Sequence, residues 1–232
     1  MARKTKKKSL ISTLSNLDMV DVQPLTENQE RAFTEYDYDK NLVLHGHAGT
    51  GKTYLALFLA LRELSEDQNY DKLIIIRSVV PSREIGFLPG SLEDKIEVYE
   101  EPYEEMCGKI FRRGDAYSTL KKSSIIDFKT TSFMRGITYD RSIVIIDECQ
   151  NMIDQEISTI LTRIGEDTRF ILCGDFRQND LGREKSGLNK NINILKNIDS
   201  VSFINFTVDD IVRSGFVRDY IKEREEYEKD NQ

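Results

Sequence analysis

The sequence predicts an α/β fold in which helices cover both faces of a parallel sheet. Short apolar runs alternate along the chain with segments that are rich in strong helix formers, the order expected of parallel βαβ units. Polar residues do not alternate with apolar ones within these runs, which is the pattern of strands that are buried on both faces. With 232 residues and no internal repeat, the chain is long enough for one well-buried core and short for two. A single domain is therefore expected.

The two ends of the chain differ from this domain in composition. Residues 1–24 are predicted to form a flexible arm, whose basic residues are Arg3, Lys4, Lys6, Lys7 and Lys8. Such an arm either contacts nucleic acid or is a solvated tail, and the residues leave both interpretations open. We place the domain at residues 25–221 and an acidic C-terminal tail at residues 222–232.

The domain is predicted to begin with a helix near Thr26. Thr26 followed by Gln29 resembles a capping box, in which two side chains satisfy the first backbone groups of a helix. The alternative role of Gln29 is a nucleotide contact, because its amide offers a donor and an acceptor to an adenine edge. Spacing alone does not decide between these roles.

A glycine-rich loop follows the first apolar run, Asn41–Leu44, and precedes a helical segment that starts near Tyr54. The loop reads Gly46-His47-Ala48-Gly49-Thr50-Gly51-Lys52-Thr53 and fits the phosphate-binding pattern. Its glycines allow close backbone approach, and the helix N-terminus directs N–H groups and a positive dipole end at one spot. A triphosphate is the expected ligand, with Lys52 at its β- and γ-phosphates and Thr53 on Mg²⁺.

The later elements follow the same alternation. An acidic helix is predicted over Ser91–Met106, after a loop with glycine and proline breakers, and a second basic patch comes next. That patch comprises Lys109, Arg112, Arg113, Lys121 and Lys122, and it is either a solvated face or a nucleic-acid contact. The strands that are predicted after the phosphate-binding loop are Lys72–Arg77, Ile125–Phe128, Ser142–Glu148, Arg169–Asp175 and Val201–Phe206.

Polar residues gather at the carboxyl ends of these strands, where open parallel sheets bind ligands. Asp147 is predicted to hold Mg²⁺, and Glu148, one residue further on, to orient or deprotonate an attacking water. A base of this kind favours hydrolysis over phosphoryl transfer to an acceptor. Gly174–Gln178 follows the next strand, and the neutral Gln178 side chain suits contact with a γ-phosphate or the lytic water.

Composition argues against several other classes. The net charge of −7 does not favour nucleic-acid binding by the protein as a whole. No apolar run is long enough to span a membrane, and no apolar segment follows the basic start as in a secretory signal. Cys107, Cys149 and Cys173 lack metal-ligand spacing and favour a reducing, cytoplasmic location. His45 and His47 have no partners that would complete a metal site.

A series of blocks in this order resembles the PhoH-like ATPases, whose RecA-like core is related to superfamily-one helicases. The resemblance runs from Leu25 to Tyr220. The blocks that carry it are Leu25–Gln29, His45–Thr53, Ile85–Gly90, Met134–Gly136, Asp147–Asn151, Leu161–Gly165, Gly174–Gln178 with Asp180–Leu181, and Asp210–Arg213. The resemblance implies a P-loop NTPase with a RecA-like parallel sheet sandwiched by helices. The compact chain is similar to short, phage-encoded members of the family.

The resemblance implies Mg²⁺-dependent ATP hydrolysis, with Gln29 on adenine, Gln178 at the γ-phosphate and Arg213 as an arginine finger. The alternative for Arg213 is a surface ion pair with Asp209 or Asp210. The predicted catalytic residues are Lys52, Glu148, Gln178 and Arg213, and the metal ligands are Thr53 and Asp147. The predicted nucleotide contacts are Gln29, Gly46, His47, Ala48, Gly49, Thr50, Gly51, Lys52, Thr53 and Tyr54.

The resemblance also implies assembly, because in this family a neighbour's arginine completes the site within a ring, here expected to be a hexamer. Single-stranded RNA or DNA is the expected partner, no membrane is involved, and a phage-encoded member would act in the host cytoplasm. The chain departs from the family pattern at His47, Cys149 and Ser214-Gly215. The alternative function is a nucleotide-gated nucleic-acid-binding module with incidental hydrolysis. A nucleotide kinase is disfavoured by Glu148 and Gln178, and helicase activity is left open.

Overall fold

The computed structural model describes residues 13–14, 17–66, 69–78, 92–131, 136–175 and 188–230. Its helices are α1 (Glu27–Asp37), α2 (Lys52–Glu66), α3 (Leu92–Phe111), α4 (Ala116–Lys122), α5 (Asp154–Leu161), α6 (Leu188–Leu195) and α7 (Gly215–Asp230). Its strands are β1 (Asn41–Gly46), β2 (Lys72–Arg77), β3 (Ile126–Thr130), β4 (Ser142–Asp147), β5 (Arg169–Gly174) and β6 (Val201–Phe206). Short 3₁₀ turns, Cys149–Asn151 and Val208–Asp210, follow β4 and β6.

Within these residues the strands form one parallel sheet in the order β3-β2-β4-β5-β1-β6. Every predicted strand is present, and the short one runs from Ile126 to Thr130. Strands β4 and β5 are buried along their whole length, which explains why their sequences are continuously apolar. The predicted α/β fold class is therefore confirmed.

Two apolar layers cover the sheet on its opposite faces. Leu42 and Leu44 of β1 belong to the layer that includes α1, α2, α3 and α4. Val43, between them, belongs to the layer that includes α5 and α6. Because strand side chains alternate between faces, each buried strand supplies both layers at once. The carboxyl edge of the sheet is left to the loops that bear the predicted site residues.

The N-terminal segment differs from the flexible arm that we expected over residues 1–24. Leu14 and Leu17 are buried in the core, and Val22 packs against it. The Val20 backbone N–H also donates to the Ile110 carbonyl oxygen at 2.8 Å. The segment from Leu17 onward therefore belongs to the packed domain, because it carries apolar side chains that bury against α3. The basic residues of the arm lie outside the described residues.

Two helices differ from the sequence-based expectations for their segments. Helix α3 reaches Phe111 and contains Pro102, whose missing N–H interrupts the helical hydrogen-bond ladder. Helix α7 runs to Asp230, so most of the predicted acidic tail is helical. Among the described helices, none combines the length and the apolar surface that a membrane crossing requires.

Candidate active site

The glycine-rich loop lies at the carboxyl edge of the sheet, between the end of β1 and the start of α2. Gly46 adopts φ 129°, and a Cβ placed there would collide with the Phe206 backbone of the neighbouring strand β6. Gly49 and Gly51 adopt φ 79° and 82°, in the left-handed region that favours glycine. The loop thus curls tightly against β6 and presents the N-terminus of α2 to the space above the sheet.

Lys52 begins α2, and its side chain folds back over this loop. Its Nζ donates to the carbonyl oxygens of Gly46 at 2.8 Å and His47 at 2.6 Å. Burial lowers the pKa of the ammonium, while the nearby carboxyl of Asp175 opposes that shift. The loop therefore holds a cation at the position where the phosphate-binding pattern requires one.

The next residue, Thr53, meets the predicted metal-binding carboxylate. Thr53 Oγ1 donates to Asp147 Oδ1 at 3.0 Å, and the Tyr103 hydroxyl donates to Asp147 Oδ2 at 2.6 Å. Hydroxyl and carboxylate oxygens are the ligand type that Mg²⁺ prefers. Among the described residues no group of three or more His, Cys, Asp or Glu side chains is arranged to hold a metal.

Glu148 lies just past the end of β4, in a conformation unusual for a residue other than glycine. Its φ is 52° and its ψ is 39°, a left-handed geometry that is found disproportionately at functional sites. Its Oε2 accepts from Gln150 Nε2 at 2.6 Å, and Gln150 Oε1 accepts from the Asp175 backbone N–H at 3.1 Å. Burial, followed by the Asp147 charge, raises the pKa of Glu148, while Arg77 lowers it. The side chain is thus fixed and biased towards accepting a proton.

These residues line one cavity of about 800 Å³, a volume within the range of small-molecule sites. Its floor is formed by Ala48, Gly49, Gly51, Lys52, Thr53 and Tyr54, and its acidic wall by Asp147, Glu148 and Asp175. Gly46, His47 and Thr50 are buried and do not line the cavity. Buried Thr50 supports the loop from below, since its Oγ1 donates to the His47 carbonyl oxygen at 2.9 Å.

Gln29 joins the start of α1 to the loop. The Gln29 backbone N–H donates to Thr26 Oγ1 at 3.3 Å, so Thr26 caps the helix, which is one half of the predicted capping box. Its side-chain Oε1 accepts from the Leu25 N–H at 2.8 Å, and its Nε2 donates to the Thr50 carbonyl oxygen at 3.2 Å. The amide also lines the cavity. Gln29 is therefore a helix-start residue whose side chain reaches the glycine-rich loop.

Arg213 lies on the loop of its own chain. The Val212 N–H donates to the Gly49 carbonyl oxygen at 3.2 Å, and an ideal Cβ on Gly49 would lie 3.3 Å from Arg213 Nε. The alternative ion pairs are not formed within the described residues. Asp209 pairs with Lys222, and Asp210 accepts from Asn28 and the Thr207 N–H.

The family model described as PhoH-like protein matches residues 21–225. The chain belongs to the PhoH-like protein family. A PhoH-like protein of Mycobacterium leprae is 33% identical over 215 residues, which cover 90% of this chain and 60% of the relative. A PhoH-like protein of Bacillus subtilis is 37% identical over 188 residues, covering 80% and 57%. The chain thus spans about three fifths of the length of these bacterial relatives.

A solved structure supports the fold assignment of this PhoH-like chain. The large terminase of a thermophilic bacteriophage superposes with a TM-score of 0.55 and 13% sequence identity, over 86% of this chain and 50% of that one. Similarity at such low identity shows the fold alone. It agrees with the parallel sheet and the P-loop at its carboxyl edge, so the RecA-like P-loop NTPase assignment stands.

Gln178, a predicted catalytic residue of the PhoH-like chain, lies outside the described residues. Parts of the family blocks also lie outside them, namely Ile85–Gly90, Met134, Arg135, Asp180 and Leu181. The second basic patch is described, and much of its charge is compensated. Lys109 pairs with Glu105, Arg113 with Asp115, and Lys121 with Glu100.

Three residues in or beside the cavity had no site role predicted from the sequence. Arg77 ends β2 in register with Asp147 and lines the cavity, a place that the strand pattern already indicated. Gln150 lay within a family block but had no assigned role. Tyr103 had no sequence signal, because only the packing of α3 brings its hydroxyl to Asp147.

Proposed function

We propose that this PhoH-like protein hydrolyses ATP with Mg²⁺ in the cavity above its glycine-rich loop. The observation that carries the proposal is the placement of four groups around one cavity. Lys52 lies in the loop, Thr53 is hydrogen-bonded to Asp147, and Glu148 follows Asp147 with its side chain held by Gln150. A phosphate ligand, a metal ligand pair and a base are the parts that phosphoryl transfer to water requires.

Each residue has a defined task in this proposal. The loop N–H groups and Lys52 bind the phosphates and offset their charge. Thr53 and Asp147 would hold Mg²⁺, which would supply positive charge beside the phosphates. Glu148 orients a water and takes its proton as the water oxygen bonds to the γ-phosphorus, while the bond to the β,γ-bridging oxygen breaks and ADP leaves. The raised pKa of Glu148 suits this role.

The Gln29 amide supports a preference for adenine. Its Oε1 and Nε2 each have one bond to the protein, which fixes which end is the oxygen, and each retains capacity for one more. The remaining acceptor and donor match the N6 amino group and N7 of adenine, whereas guanine presents an acceptor in place of the amino group. Gln29 therefore serves both as a helix-start residue and as a base contact.

Arg213 and Gln178 complete the site. The position of Arg213 on Gly49 of its own chain supports a role at the phosphates of the same subunit, in place of the neighbour's site that we expected. Gln178 is assigned to the γ-phosphate from the family resemblance. Ring assembly and a single-stranded RNA or DNA partner rest on that resemblance as well, whereas a location in the cytoplasm rests on the three free cysteines.

Steady-state phosphate release tests this function. We expect turnover of ATP by the wild-type chain, stimulation by single-stranded RNA or DNA, and loss of both in Glu148→Gln. Glu166→Gln is the matched control, because Glu166 is exposed in the turn before β5, at the opposite edge of the sheet. The gated binding module would be favoured by two results together: negligible turnover by the wild-type chain, and tight binding of nucleic acid by Glu148→Gln in the presence of ATP. Wild-type turnover that changes with neither RNA nor DNA would contradict a nucleic-acid partner.

A further inference from the structure

We propose that Tyr103 is a positioning residue that holds Asp147 in the orientation that binds Mg²⁺ with nucleotide. The inference rests on the proposed function and extends it to a residue outside the loop and the strand ends. Its basis is the hydrogen bond between the Tyr103 hydroxyl and Asp147 Oδ2, at 2.6 Å.

The two oxygens of Asp147 are held from two different parts of the chain. Thr53, at the start of α2, donates to Oδ1 at 3.0 Å, and Tyr103, in the middle of α3, donates to Oδ2. Asp147 itself is only 4% exposed. Hydrogen bonds to an ionised acceptor are short and strong, so the pair fixes the plane of the carboxylate as well as its place.

Tyr103 is itself immobilised by packing. Its side chain is 1% exposed, and its ring lies 5.6 Å from the Phe128 ring, centroid to centroid, at 51°. The Tyr103 hydroxyl is the donor of the bond to Asp147 Oδ2, and the packing of the ring leaves the hydroxyl little freedom to turn away. The hydroxyl is a rigid donor and not a mobile surface group.

The helix that carries Tyr103 also forms part of the nucleotide cavity. Its neighbours Pro102, Glu105 and Met106 line that cavity, while Tyr103 points to the sheet. Helix α3 therefore contacts both the proposed nucleotide space and the metal carboxylate. Groups that orient metal ligands in this way commonly change metal affinity by about 10- to 100-fold when removed.

The test compares Tyr103→Phe with Tyr117→Phe. Tyr117 is a matched control, because its hydroxyl is buried and donates to the Glu100 carboxylate at 2.7 Å without contacting Asp147. The measurement is equilibrium binding of a fluorescent, slowly hydrolysed ATP analogue, titrated with Mg²⁺. We expect Tyr103→Phe to raise the Mg²⁺ concentration at half-saturation by about tenfold. Metal-free binding of the analogue should stay unchanged, and Tyr117→Phe should leave the Mg²⁺ midpoint at the wild-type value.

An unchanged Mg²⁺ midpoint in Tyr103→Phe, beside a wild type that responds to Mg²⁺, would overturn the inference and leave the proposed function intact. Equal shifts in both variants, or failure of Tyr103→Phe alone to fold, would assign the hydroxyl a purely structural role and also overturn it. A wild-type chain that does not bind the analogue at all would refute the proposed function itself.

Discussion

Replacing Arg213 with alanine should lower ATP turnover while leaving nucleotide binding nearly intact. The Val212 N–H pairs with the Gly49 carbonyl oxygen, and the Arg213 side chain follows along the surface of Gly49. The backbone of one chain therefore delivers the guanidinium to the loop that is proposed to bind the phosphates. An arginine placed there stabilises charge that grows on the transferred phosphoryl group.

The magnitude follows from Coulomb's law. A guanidinium about 4 Å from one unit of charge that develops only in the transition state, at an effective dielectric constant near 20, contributes about 4 kcal/mol. Since about 1.36 kcal/mol corresponds to a tenfold change in rate, the substitution should slow turnover by roughly 10³-fold. Binding should weaken far less, because Lys52 and the loop N–H groups still hold the phosphates.

The assay is phosphate release by Arg213→Ala alone and mixed with Lys52→Ala. Each variant lacks a different part of the site. If the arginine acts within its own chain, every subunit of a mixture still lacks Lys52 or Arg213, and turnover does not recover. Recovered turnover on mixing would refute this placement and favour an arginine supplied by a neighbouring subunit. Arg112→Ala, an exposed arginine at the end of α3, is the control. Turnover unchanged in Arg213→Ala would refute the catalytic role altogether.

Three further predictions follow from single contacts. Because the pKa of Glu148 is raised and the base acts as a carboxylate, turnover should fall as pH drops through that raised value. The acid limb of the rate profile should lie above about pH 4.3, the usual glutamate value, and a limb at or below it would count against this base. Gln29→Ala should reduce the preference for ATP over GTP by about tenfold in competitive binding, the worth of one hydrogen bond, and an unchanged ratio would argue against the adenine contact. Arg169→Met should lower the free energy of unfolding in urea by about 3–5 kcal/mol, because it removes the cation from Glu63, whose side chain is only 12% exposed. Arg169 Nη1 donates to Glu63 Oε1 at 2.5 Å, and Arg169 also lies over the Tyr36 ring. A loss below about 1 kcal/mol would contradict that role.

Much of the fold and the loop was predictable, because both depend on local patterns. Continuous apolar runs at Ile143–Ile146 and Ile171–Cys173 indicate strands buried on both faces, and the structure buries them fully. The spacing of glycines before Lys52 predicted the loop, and the proximity of Thr53 and Asp147 followed from the shared carboxyl edge of parallel strands.

Contacts between distant segments were not predictable. The family resemblance suggested a catalytic role for Arg213, but it did not indicate where the residue lies. The hydrogen bond between Val212 and Gly49, which places Arg213 beside the loop of the same chain, joins segments that are far apart in the sequence. The contact of Tyr103 with Asp147 depends likewise on how α3 packs over the sheet. The burial of Leu17 was missed because apolar residues in a polar lead give too weak a pattern to show what covers them.

The central claim is that the cavity hydrolyses ATP with Glu148 as its base. The most direct measurement is single-turnover hydrolysis of γ-labelled ATP with Mg²⁺ by excess wild-type chain and by excess Glu148→Gln. We predict that both chains bind ATP and that the wild-type chain hydrolyses it to free labelled phosphate. Glu148→Gln should keep the ATP intact for longer, because its rate of hydrolysis should be about 10²- to 10⁴-fold lower. Equal hydrolysis by the two chains, or transfer of the label to an acceptor other than water, would contradict the account.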